Sequence, residues 1–147
     1  MTARFLLLQG ANMEFMGIRQ PEVYGRTTAA ELDAMAEAHG RARGFALEIF
    51  YTNHEGAAID RLFAAHRAGI DGCVMNPGGL CYAGFALRDA IRGLNFPVLE
   101  VHMTNHYDRG IQSVTAASCK GVFMGLGTRT YLRAFDALLD LYAERGA

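Results

Sequence analysis

The sequence has no surplus of positive charge: 14 Lys and Arg stand against 15 Asp and Glu in 147 residues. A chain that grips a phosphate backbone needs a basic face, so nucleic acid is excluded as the expected partner. No apolar run approaches the ~18–20 residues that a membrane span needs, so no membrane contact is expected. Met1-Thr2-Ala3-Arg4 leads straight into a short strand-like run, without the features of a secretory signal. The expected location is the cytoplasm. Cysteine is scarce and odd in number: Cys73, Cys81 and Cys119, with no CxxC. Free thiols in a reducing compartment are expected, with Cys73 as a small core residue. Cys81, in a Gly-rich loop, is the cysteine best placed for a nucleophile. His39, His54, His66, His102 and His106 form no close pair at a ligand spacing, so no metal is expected. GxxxxGK[ST] and GxGxxG are also missing, and no loop composition supports a nucleotide or flavin. With no repeat, low-complexity tract or linker, residues 1–147 read as one domain.

What is present is a core-forming composition, 51% hydrophobic and 20% charged. That level of apolar content excludes intrinsic disorder. Glycine is high, 17 of 147 residues, or about 12% against an average near 7%. Such a count implies tight turns or places where a ligand approaches backbone. Short apolar strands alternate with helical patterns. Strands are expected at Phe5–Gln9, Phe45–Tyr51, Ile70–Met75, Pro97–His102 and Gly121–Met124. Asn76-Pro77-Gly78-Gly79 reads as a break after the third. Thr28-Ala29-Ala30-Glu31 is a capping box opening a helix that fades near Gly40–Gly44. Further helices are expected at Glu55–Ala68, at about Gly84–Leu94 and at Thr128–Glu144. In the first of these, Ile59, Leu62, Phe63 and His66 share a stripe, and Gly69 ends it. Strands alternating with helices imply right-handed βαβ units and a parallel sheet. The fold class is α/β, a flavodoxin-like three-layer sandwich with a five-stranded parallel sheet of order 2-1-3-4-5.

In such sheets ligands bind beyond the carboxyl ends of the strands. Those positions hold Gln9 to Asn12 with Arg19 and Tyr24, Thr52 to Glu55, Asn76 to Gly79, Glu100 to Asn105, and Gly125 to Gly127. Most offer neutral or cationic hydrogen-bonding groups, which suit a small, oxygen-rich anion. Each has a structural explanation when taken singly. Asn76 to Gly79 makes a turn, Asn53 caps a helix whose dipole Glu55 favours, Arg19 is solvated, and His102 is satisfied by neighbours. The constellation argues for more.

Gln9-Gly10-Ala11-Asn12 and Gly17 to Gly25 (GIRQPEVYG) resemble the first loop of type II 3-dehydroquinate dehydratases. Asn53-His54-Glu55-Gly56 with Ile59-Asp60 resembles that family's NHEG segment. Asn76-Pro77-Gly78 with Ala86 to Ala90 resembles its NPG loop and following helix. Glu100-Val101-His102 with Asn105, and Gly125-Leu126-Gly127, complete a set that runs in order over nearly the whole chain. The resemblance implies cofactor-free, metal-free dehydration of 3-dehydroquinate to 3-dehydroshikimate. It implies a homo-oligomer of twelve subunits built from trimers. It makes Tyr24 the base, Arg19 its neighbour on a mobile loop, Asn12 the holder of a water that supports the enolate, and His102 the proton donor oriented by Glu100. Asn76, Asp89, Met103 and Thr104 are implied substrate contacts, with Asp89 reaching a neighbouring subunit. The chemistry agrees. A free tyrosine, with a pKa near 10, is a poor base at neutral pH. An adjacent guanidinium favours its charged form. Histidine suits proton delivery to a leaving hydroxyl.

The sequence also departs from the family. Tyr82 stands where a histidine would contact the substrate. An arginine is missing after the fourth strand: Arg109 lies too early for it, and Gln112-Ser113 stand near its place. Ala11 and Glu14 replace a proline and an asparagine. Base, arginine partner and proton donor are kept, while the groups that read ring hydroxyls are partly changed. Two other readings therefore stay open. One is the same elimination on an amino or deoxy analogue, with Tyr82 in the pocket; the other is a non-catalytic binding protein for small acids.

Overall fold

A computed structural model describes residues 1–146. Five strands, β1 (Ala3–Ala11), β2 (Phe45–Tyr51), β3 (Gly72–Gly78), β4 (Val98–His102) and β5 (Gly121–Met124), form one sheet. The order is β2-β1-β3-β4-β5 and every pairing is parallel. The expected flavodoxin-like order is therefore observed.

The apolar run in β1 is explained by its two buried faces. Phe5 and Leu7 enter one core with Leu32 and Ala36 of α2 (Ala29–Arg43) and Tyr131, Phe135 and Leu138 of α5 (Arg129–Arg145). Leu6 and Leu8 enter the other, with Ala58, Leu62 and Ala65 of α3 (Glu55–Ala68) and Leu87 and Ile91 of α4 (Phe85–Arg92). Alternation along a strand sends successive side chains to opposite faces, so a central strand covered on both sides has no polar phase. Thr28 caps α2 as the box predicts: its hydroxyl oxygen accepts the Glu31 N–H at 3.2 Å.

Three local expectations are corrected. β3 runs on through Asn76 and Pro77 to Gly78 because Ala11 pairs with Gly78. The buried stripe of α3 is Ala58, Leu62 and Ala65, whereas Phe63 is 40% exposed. Small residues face the sheet there because the helix packs close to it. The first loop, where no helix was expected, holds a short helix α1 (Pro21–Tyr24) that ends on Tyr24.

Candidate active site

The segments after β1, β3 and β4 wall one cleft that opens to solvent. The sheet order puts these three strands side by side. The backbones of β1 and β3 meet beneath the cleft only because two residues lack Cβ. A Cβ on Gly10 would collide with the Pro77 carbonyl, and one on Gly78, at φ +54°, with the Ala11 carbonyl.

Asn12 follows β1 in a left-handed conformation, φ 72°. Its N–H donates to Asn53 Oδ1 at 2.9 Å, and Asn53 Nδ2 donates to Glu14 Oε1 at 2.8 Å. Asn53, expected to cap α3, does not; it ties the end of β2 to the loop after β1. His54 occupies the cap position without a side-chain bond. Glu55 accepts the Leu87 N–H at 3.0 Å and so joins α3 to the first turn of α4. The Asn53-to-Gly56 motif works here as a structural link.

Asn76 is 4% exposed at the cleft floor. Its Oδ1 accepts the Gly78 N–H at 3.0 Å, and its Nδ2 donates to Tyr131 Oη at 2.7 Å. Tyr131 in turn donates to Gln9 Oε1 at 2.9 Å. This chain fixes the carboxamide and leaves a second Nδ2–H for a ligand.

Tyr24 reaches the cleft from α1. Arg109, on the 3-10 turn His106–Arg109, donates through Nη2 to Tyr24 Oη at 2.7 Å and through Nη1 to Thr104 Oγ1 at 3.0 Å. One guanidinium thus clamps the loop after β1 to the loop after β4. Arg19, singled out as the partner of Tyr24, lies over its ring with Cζ 5.3 Å from the centroid. Sequence reasoning missed the place of Arg109 in the cleft, having set it aside as too early for the family's arginine. Its partner is 85 residues away, and a lone arginine in a strand-end loop is the only local trace.

His102 is buried, with Nε2 2.7 Å from Glu100 Oε2. The Thr115 hydroxyl donates to the other carboxylate oxygen. Burial pushes the Glu100 carboxyl up, but hydrogen bonds from His102, Thr115 and Ser113 outweigh it and leave it below its ordinary value. Glu100 is therefore a carboxylate that holds one ring nitrogen, leaving Nδ1 of His102 for other work.

Met103 and Thr104 line the cleft, and Tyr82 stands at its rim, 59% exposed. Gln112 and Ser113 lie outside it. So does Asp89, exposed on α4 beside Arg88 and Arg92 at 3.3 and 3.8 Å. Cys81 borders the cleft, but burial pushes its thiol up to about 11, which leaves too little thiolate for a nucleophile. His106, also missed, presses its ring against that of His102. Among the described residues, no group of three His, Cys, Asp or Glu side chains is arranged to hold a metal ion. Among the described residues, no helix is long and apolar enough to cross a membrane.

These environments imply a pH dependence of stability. Burial pushes His106 down to about 4, aided by the positive charges of His102 and Arg109 and opposed by Glu100. The unfolded chain takes up that proton near 6.5 and the folded chain near 4, so the unfolded state binds more protons in this window. Thermal stability should be full above about 6.5 and fall as pH drops towards 4. The depressed Glu100 adds a further loss at lower pH, as it is protonated. Melting curves from pH 7 to 4 check this. His106→Phe should flatten the upper part of the slope, and an unchanged slope would contradict the assignment.

A parallel sheet of this order, with a polar cleft at its strand ends, defines a flavodoxin-like α/β protein with a small-molecule site. The crystal structure of a type II dehydroquinase from Butyrivibrio crossotus is similar over 93% of this chain and 97% of that one, with a TM-score of 0.90 and 34% identity. The 3-dehydroquinate dehydratase of Thermus thermophilus is 44% identical over 138 residues, covering 92% of this chain and 93% of that protein. Catabolic 3-dehydroquinase 1 of Aspergillus fumigatus is 37% identical over 145 residues, covering 97% and 96%. The model of the class II dehydroquinase family matches residues 3–139. The chain belongs to that family.

Proposed function

We propose that this chain is a hydro-lyase that dehydrates 3-dehydroquinate to 3-dehydroshikimate without a cofactor. The observation that carries the reading is one cleft holding Tyr24, hydrogen-bonded by Arg109, together with His102, held by Glu100. Tyr24, as phenolate, takes the proton beside the ketone, and the C–H electron pair becomes an enolate. Asn12, through a bound water, supports the charge on the enolate oxygen. The enolate then expels the β-hydroxyl, which leaves as water with a proton from His102. Arg109 and Arg19 stabilise the charged base, and Glu100 keeps His102 oriented. Asn76 and the Met103-Thr104 segment hold the carboxylate and hydroxyls. Asp89, outside its own cleft, fits a role in a neighbouring subunit.

The reading extends to a cytoplasmic protein with one domain over residues 1–147, assembled as twelve subunits built from trimers. Light scattering checks the assembly, and a stable 16.0 kDa monomer at micromolar concentration would refute it. Incubation with 3-dehydroquinate checks the reaction. The ultraviolet absorbance of a conjugated enone should grow in, and its absence at high enzyme concentration would refute the assignment.

Tyr82 and the missing arginine bear on the choice of ring. A lost partner for a buried hydroxyl costs about 1–3 kcal/mol, or roughly 5- to 150-fold in turnover at limiting substrate. Tyr82→His should therefore raise kcat/KM for 3-dehydroquinate relative to a deoxygenated analogue. An unchanged ratio would show that the phenol, which both donates and accepts, serves equally well.

A further inference from the structure

His106 has no part in the steps above, yet it is the nearest ring to the proton donor. Its centroid lies 3.7 Å from that of His102, with the planes tilted by 41°. It is 7% exposed, its Nδ1 is enclosed without a hydrogen-bond partner, and it stands in the wall between the cleft and a neighbouring cavity lined by Gln112 and Ser113. Asn105 fixes the turn that carries it by accepting the Tyr107 N–H at 3.1 Å.

We propose that His106 is a positioning residue for His102, a neutral imidazole that covers one face of the donor ring and holds its tilt. The proposal rests on the reading of His102 as proton donor. One hydrogen bond donated to Glu100 fixes where His102 Nε2 sits but leaves the ring free to swing about that bond. A second surface is needed to aim Nδ1, and the stacked ring supplies it. The same ring blocks access from the neighbouring cavity, so the proton is not lost to solvent on that side.

The electrostatics require His106 to stay neutral. The ionisable groups around the pair are Glu100 on β4, Arg109 on the same turn, and the thiol of Cys81 at the cleft, which burial pushes up and keeps uncharged. Two imidazolium rings at this separation repel, so a proton on His102 excludes one from His106. An unpartnered buried N–H costs more than a bare lone pair, which places the single proton of His106 on Nε2. The π face then lies against a cation whenever His102 is charged, an attractive arrangement.

The test compares His106→Leu, which removes the ring at similar volume, with His106→Phe, which keeps a ring that cannot titrate. Both are made in the full chain and checked for melting temperature and assembly. For His106→Leu, kcat on 3-dehydroquinate should fall about tenfold with KM within about twofold. Its basic limb should move down by about half a pH unit, the size of a lost cation–π contact. His106→Phe should keep most of kcat at pH 7. Should the leucine variant not fold, His106→Asn makes the same comparison. Unchanged kcat and pH profile in the ringless variant, or equal damage in a well-folded phenylalanine variant, overturns the proposal. NMR titration of the His102 ring separates this from a wrong assignment of the reaction, because it needs no turnover. If the His102 titration is the same in wild type and His106→Leu, the positioning role is overturned even where wild type is inactive on 3-dehydroquinate.

Discussion

Tyr24→Phe should lose at least about 100-fold in kcat on 3-dehydroquinate while ligand binding stays measurable. A general base contributes on the order of 10²–10⁴-fold, and phenylalanine removes only the oxygen that would take the proton. The ring remains, so the surface that Arg19 and Arg109 cover is kept, with their Cζ atoms 5.3 and 5.0 Å from its centroid. The change breaks one hydrogen bond, from Arg109, on a short helix at the cleft edge. Loss of turnover would thus report chemistry and not unfolding, which circular dichroism and melting temperature verify. A variant that keeps more than about a tenth of the wild-type rate would show that another group takes the proton.

Arg109→Lys should cost about 10- to 150-fold in kcat/KM, far more than Arg19→Lys. Arginine presents a planar fork, and Arg109 uses it to reach Tyr24 and Thr104 at once. Lysine offers one compact ammonium that cannot hold both oxygens. A hydrogen bond to a charged group contributes about 1.5–3 kcal/mol, which sets the range. Arg19 lies over the Tyr24 ring at cation–π distance, a contact worth about 0.5–1 kcal/mol, or roughly two- to fivefold. Steady-state kinetics on the two variants settle the order. A larger effect at Arg19 would return to it the role that the first-loop motif suggests.

The strands, the capping box at Thr28 and the end of α3 at Gly69 are local, and each was legible from period, cap and turn chemistry. The continuation of β3 to Gly78 was not, because Asn-Pro-Gly is turn chemistry by every local rule. It is strand only because β1 offers Ala11 as a partner. Asn53 misled for a related reason: it is a residue that a helix start favours, but its side-chain oxygen accepts from Asn12 instead. Glu55 keeps its expected place in the first turn of α3 and accepts from Leu87 as well.

The alternation of strands and helices by itself determined the sheet order, and the order of motifs the family and most of the cleft: Asn12, Arg19, Tyr24, Asn76, Tyr82, His102, Met103 and Thr104 all face it. That was possible because a parallel α/β sheet exposes the carboxyl end of every strand on one side, so residues after strands share a neighbourhood whatever their separation. Tertiary structure alone decided which groups touch within that neighbourhood. It gave the phenolic oxygen to Arg109, laid His106 on His102, buried Cys81 too deeply to ionise, and left Asp89 facing outward. Side-chain reach and ring orientation are set by packing between distant segments, and nothing in local spacing encodes them.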